Sequence, residues 1–137
     1  MIRIAILASG SGTNAERLMD HFKSHAVAEV ALVGCDRPHA GVVQRAWDHG
    51  VPSFLFNGLD MKEGALQREL ESFQVDLVVL AGFLRLLPSG LVRAYADRIL
   101  NIHPSLLPRF GGKGMFGQRV HEAVVASGDK ESGITVH

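Results

Sequence analysis

Two stretches of this chain, Ile4-Ala5-Ile6-Leu7-Ala8 and Leu77-Val78-Val79-Leu80-Ala81, are apolar at every position. A strand with one wet face alternates apolar and polar side chains, because successive residues point to opposite sides. These two do not alternate, so each needs cover above and below, and a parallel sheet between layers of helices supplies it. The rest of the chain keeps the same rhythm. Further strands read from Glu29 to Cys35, over Ser53-Phe54-Leu55-Phe56, and over Ile99-Leu100-Asn101-Ile102-His103. Between the first strands lie two helical patterns, with Ala15, Leu18, Met19 and Phe22 on one face, then Val42, Val43, Ala46 and Trp47, closed by Gly50. A third helix has Asp60 as its N-cap, Met61, Ala65, Leu66, Leu70 and Phe73 inward, and Lys62, Glu63, Arg68 and Glu71 in water. Pro88 suits the first turn of a helix from Ser89 to Ala96, and Val120 to Ala126 is again helical. Strands alternating with helices make βαβ units. The expectation is one α/β domain over residues 1–137, doubly wound, with a mainly parallel sheet and helices on both faces.

Such sheets keep their ligands at the carboxyl ends of the strands. After the first strand comes Ser9-Gly10-Ser11-Gly12-Thr13-Asn14, which leads straight into a helix. Unpaired backbone N–H groups and the positive end of the helix dipole suit a phosphate there, and glycines let the anion approach the main chain. Two other readings stand beside this one. Gly10, Gly12 and Ala15 occupy the small positions of a dinucleotide fingerprint, with Asp36 near the place of its ribose-binding acid. The loop is otherwise a plain tight turn.

The fifth strand carries the sharpest chemistry. Asn101 and His103 stand two apart, so they share one face of the strand, and Pro104 and Pro108 end it directly afterwards. A carboxamide donates N–H to a developing oxyanion, and an imidazole gives or takes a proton near neutral pH. Together they form a minimal acyl-transfer site. Ser105 lacks a nucleophile elbow around it, so direct attack by a substrate amine fits better than a covalent intermediate. The spacing of His103, His121 and His137 matches no zinc pattern. Between the two key strands, Gly82-Phe83-Leu84-Arg85-Leu86-Leu87-Pro88 is too apolar for an ordinary solvent-exposed turn. It either packs under the next helix or lines a pocket in which its backbone reads the edge of a flat heterocycle.

Composition narrows the partners. Lys and Arg number 14, as do Asp and Glu, so no excess charge favours nucleic acid or an anionic membrane. No apolar run approaches the ~20 residues of a membrane span, and with the first strand starting at Ile2 no signal peptide is expected. The single cysteine, Cys35, rules out an internal disulfide framework and reads as a small buried hydrophobe in a cytoplasmic protein.

Four motifs, in order, carry a resemblance: Ser9 to Asn14, Ala81 to Leu87, Asn101-Ile102-His103-Pro104-Ser105-Leu106-Leu107-Pro108, and Gly133-Ile134-Thr135-Val136-His137. Their sequence and order resemble those of the folate-dependent phosphoribosylglycinamide formyltransferases across the whole of residues 1–137. The resemblance implies a Rossmann-like formyltransferase fold and transfer of a formyl group from 10-formyltetrahydrofolate to the amine of glycinamide ribonucleotide, in purine synthesis. By position, Gly12, Thr13 and Asn14 would hold the substrate phosphate, which sets the dinucleotide reading aside. Leu84, Arg85, Leu86 and Leu87 would line the folate pocket together with Asn101. Asn101 and His103 would flank the formyl carbon, with His137 in support. The implied partners are small molecules, with no metal, and a monomer or homodimer.

Three departures from the pattern follow. The acid expected to partner His103 falls a few residues beyond His137, with later strands and a C-terminal helix, so a domain missing its C-terminal part is expected. Activity from these 137 residues alone is not. Residues 109–117 hold four glycines, Gly111, Gly112, Gly114 and Gly117, which suggests a flap with Lys113 facing phosphate or folate. A family arginine for the folate tail has no clear counterpart near Lys62 and Glu63. Other users of formyltetrahydrofolate, a deformylase or a methionyl-tRNA formyltransferase, remain as alternatives, and a nicotinamide-binding module is the outsider.

Overall fold

The computed structural model describes residues 1–103, 107, 111–112, 118–128 and 134–137. The chain divides into two compact units, Met1–Ile99 and Leu100–His137.

In the first unit, strands β1 (Ile2–Ala8), β2 (Ala28–Cys35), β3 (Ser53–Leu55) and β4 (Leu77–Leu80) lie parallel in the order β3-β2-β1-β4. The register between β1 and β2 slips once, between Ile4 and Ala5. Five helices connect the strands: α1 (Thr13–Phe22), α2 (Gly41–Asp48), α3 (Gly58–Lys62), α4 (Ala65–Ser72) and α5 (Ser89–Ala94). The all-apolar β1 run is covered on both sides, with Ile4 to Ala8 buried throughout. Ala5 and Leu7 face a core made with Leu32, Phe56, Met61, Leu66, Leu70, Val78, Leu91 and Tyr95, which draws in α3, α4 and α5. The buried residues of α1 and α2, Ala15, Met19, Val42 and Ala46, are absent from that cluster and serve the opposite face, where Ile4, Ile6 and Ala8 point. Full burial of Leu66 or Leu70 is worth roughly 2–5 kcal/mol against truncation to Ala. This is the doubly wound Rossmann-like arrangement expected.

Several local expectations change. Trp47, expected on the apolar side of α2, is 81% exposed. The helix buries only the narrow stripe of Val42 and Ala46, and the next residue round the axis points to water. The helix expected to run from Asp60 to Phe73 is two helices, parted at Gly64, whose φ of +88° is left-handed and starts α4. Its cap is not Asp60. Asn57 caps α3 by accepting from the Asp60 N–H at 2.7 Å, and the Asp60 carboxylate accepts in turn from the Asn57 N–H at 3.0 Å, a reciprocal capping box. Pro88 sits at the N-cap of α5 rather than inside its first turn, and the helix stops at Ala94.

The second unit holds most of β5 (Ile99–His103), α6 (Gln118–Ser127) and β6 (Thr135–Val136). β6 runs antiparallel to β5, with Ile102 opposite Val136 and His103 opposite Thr135.

Candidate active site

The strand order reverses between β1 and β4, since β1 leads outward to β2 and β3 while β4 lies on its other side. In open α/β sheets this is where the loops splay apart and ligands bind. The two loops at that point are the ones singled out from the sequence, residues 9–14 after β1 and residues 82–88 after β4. They are joined: the Ser9 N–H donates to the Gly82 carbonyl at 3.2 Å, and the Leu84 N–H donates to the buried Ser9 hydroxyl at 3.0 Å.

Gly12 is the N-cap of α1, with φ +79°, and no side chain caps that end. The first-turn N–H groups of Thr13 and Asn14, which no i−4 carbonyl can serve, sit on exposed residues. The loop is braced by α2. The Val42 N–H donates to the Gly10 carbonyl at 3.1 Å, and Arg45 Nε donates to the Ser11 carbonyl at 2.7 Å. The same guanidinium pairs with Glu16 of α1 at 2.6 Å. Arg45 was not foreseen, because nothing in its local sequence separates it from a solvated helix arginine.

In the second loop the apolar residues divide. Phe83 and Leu87 pack against the core, while Leu84 is 36% exposed and Leu86 is 92% exposed. Packing and pocket readings thus each hold for part of it. Arg85 reaches back to the end of β2, where its Nε donates to Asp36 Oδ2 at 2.9 Å. The Asp36 side chain is only 2% exposed, so it is covered by this contact and not open to a ribose. The dinucleotide fingerprint therefore lacks its acid.

In the second unit Asn101 and His137 face each other across the β5–β6 ladder. Each donates its N–H to the other's carbonyl, at 2.6 and 2.9 Å, and Asn101 Nδ2 lies 2.9 Å from His137 Nε2. An amide nitrogen only donates, so with this amide orientation His137 Nε2 is the acceptor and the neutral ring carries its proton on Nδ1. Residues directly opposite in a ladder project to the same side, and so do residues two apart in a strand. Asn101, His103 and His137 consequently share one face. Thr135, opposite His103, accepts a hydrogen bond from the Leu107 N–H at 3.1 Å.

His121 is exposed on α6. Among the described residues, no group of three His, Cys, Asp or Glu side chains could hold a metal ion, and no helix is long and apolar enough to cross a membrane. Cys35 is buried; burial pushes its thiol pKa up, and the Sγ donates to the Arg37 carbonyl at 3.1 Å. Lys113 and the rest of the expected flap apart from Gly111 and Gly112, together with Pro104, Ser105 and Pro108, lie outside the described residues.

The first unit is thus a doubly wound α/β sheet with an uncapped, glycine-bearing helix start at its switch point, and the second unit carries Asn101, His103 and His137 on one face. The sequence pattern of the formyl transferase family matches residues 2–137, and the chain belongs to that family. It is 40% identical over 141 residues to the chloroplastic phosphoribosylglycinamide formyltransferase of Vigna unguiculata, covering 98% of this chain and 45% of that one. It is 39% identical to the phosphoribosylglycinamide formyltransferase of Bacillus subtilis, covering 100% of this chain and 71% of the relative. The structure of glycinamide ribonucleotide transformylase 1 from Geobacillus kaustophilus superposes with a TM-score of 0.88 at 43% identity, over 100% of this chain and 73% of that one. The chain thus spans about half the length of the plant relatives it matches.

Proposed function

We propose that the protein transfers a formyl group from 10-formyltetrahydrofolate to the amine of glycinamide ribonucleotide, as a cytoplasmic, metal-independent enzyme of purine synthesis that works as a monomer or homodimer. The observation that carries this reading is the shared face of Asn101, His103 and His137. In the proposed reaction the substrate amine attacks the formyl carbon and negative charge gathers on the formyl oxygen. Only groups that bind this charge better than the starting carbonyl speed the step. Asn101 has two N–H donors. One is engaged by His137, which turns the amide and holds it, and the other serves the oxyanion. The attacking amine gives up a proton as it becomes an amide, and His103 delivers one to the folate nitrogen as the tetrahedral intermediate collapses, so the proton lost at one nitrogen balances the one gained at the other. Gly12, Thr13 and Asn14 hold the ribonucleotide phosphate at the start of α1. Leu84, Arg85, Leu86 and Leu87 line the folate pocket.

The test is direct. The full-length protein is mixed with 10-formyltetrahydrofolate and glycinamide ribonucleotide, and formylated product is measured beside a titration with NADH. Formyl transfer without NADH binding supports the reading. Tight NADH binding with no response to the folate overturns it, and release of free formate without the ribonucleotide would instead indicate a deformylase.

A further inference from the structure

We infer that Asp36 is a positioning residue for the folate pocket: acting through Arg85, its carboxylate holds residues 82–88 in the shape that receives the cofactor's flat ring. This rests on the reading of that loop as part of the folate pocket.

Asp36 follows the last residue of β2, and its side chain is almost wholly buried. One oxygen accepts from Arg85 Nε, while the other, Oδ1, is buried with no hydrogen-bond partner among the described residues. A buried acceptor left unpaired is destabilising, and buried ion pairs are often no more stable than apolar side chains of the same volume. Stability is therefore a poor account of this acid. Orientation is a better one. Arg85 crosses α3 at Gly58 so closely that a Cβ there would stand 2.6 Å from Nη1. The loop is thus fixed on one side to β2 through Asp36 and on the other to β1 through Ser9. Between these fixings Leu86 projects into water at 92% exposure. An apolar tip held outward by two anchors is already in its binding shape, which removes the ordering cost of closing on a ligand.

Gly58 supplies the discriminating variant. It begins α3 with φ outside the left-handed region, so alanine suits its backbone, and the added methyl makes Arg85 Nη1 move aside while leaving both charges in place. In the full-length protein, Asp36→Ala is expected to raise KM for 10-formyltetrahydrofolate about tenfold and Gly58→Ala, which only shifts the guanidinium tip, by about threefold, each with kcat and KM for glycinamide ribonucleotide within about twofold of the parent. Asp36→Asn keeps an acceptor and falls between. The double variant Asp36→Ala/Gly58→Ala is no worse than Asp36→Ala, because both changes act on one contact. A folate KM that stays within about twofold in both single variants, or a rise in both substrates' KM together, overturns the inference while the parent remains active. A parent that transfers no formyl group overturns the underlying reading, and the inference with it.

Discussion

Gly12 lies so close to Val42 that a Cβ on the glycine would stand 2.6 Å from the valine Cβ. The crossing of the first loop over α2 depends on a missing side chain. Gly12→Ala adds a methyl to that contact and forces alanine to φ +79°, together costing about 2–5 kcal/mol. Gly10→Ala meets nothing within 4 Å and serves as the control. Urea unfolding checks this: a Gly12→Ala midpoint equal to the parent's would mean the contact is not tight.

Arg45 holds the Ser11 carbonyl from outside the loop. Arg45→Ala should therefore loosen the phosphate end, raising KM for glycinamide ribonucleotide roughly 5- to 30-fold, the effect of losing one charge-assisted bond or two. KM for the folate should hardly move. Steady-state kinetics with each substrate varied separates the two, and a change confined to the folate would contradict the assignment.

His103→Ala in the full-length protein should lower kcat by about 100-fold or more and leave folate affinity near that of the parent. Asn101→Asp should be as damaging, because a carboxylate repels a growing oxyanion. Single-turnover rates beside a folate-analogue titration read both quantities. Undiminished turnover in His103→Ala would remove that residue from the mechanism.

Leu86 tests whether the exposed tip meets a ligand. At 92% exposure, Leu86→Ser should leave stability within about 0.5 kcal/mol. Folate affinity should drop about tenfold if the side chain becomes covered on binding. Unchanged affinity would place the tip outside the pocket.

His49 gives a pH signature elsewhere. Its Nε2 lies 2.7 Å from Asp20, and this hydrogen bond, followed by one to the Arg45 carbonyl, raises its pKa above the usual 6.5. A raised folded pKa means the contribution is complete below the unfolded value and is lost as pH rises through the folded one. Asp20→Asn should therefore lower Tm by about 1–3 °C near pH 5.5 and by less near pH 8.5, as fits a pair whose carboxylate is largely exposed. A gap that widens with pH would reverse the sign of the coupling.

What could be read in advance follows from how local each cause is. The β1 and β4 runs are legible because cover on two faces demands apolar residues at every position, whatever lies above them. Asn101 and His103 share a face by strand periodicity alone, and their place at a strand end follows from the two prolines behind them. Trp47 is different: its side of α2 is decided by what the helix meets, and only Val42 and Ala46 of this helix are buried. Gly64 inside an apolar pattern is tolerated in some helices and breaks others, and here the left-handed turn prevails. Asp36 stands out in the sequence by its position after a strand. Its actual partner lies 49 residues away, and no short-range pattern reveals an ion pair at that distance.

The bond between Asn101 and His137 spans 36 positions of the chain. In synthesis the amide is made 36 residues before the imidazole it bonds, and the two meet only when β6 returns antiparallel to β5. A nascent chain carries its asparagine without this bond until that return strand arrives, so the pairing is a late event in the life of each molecule.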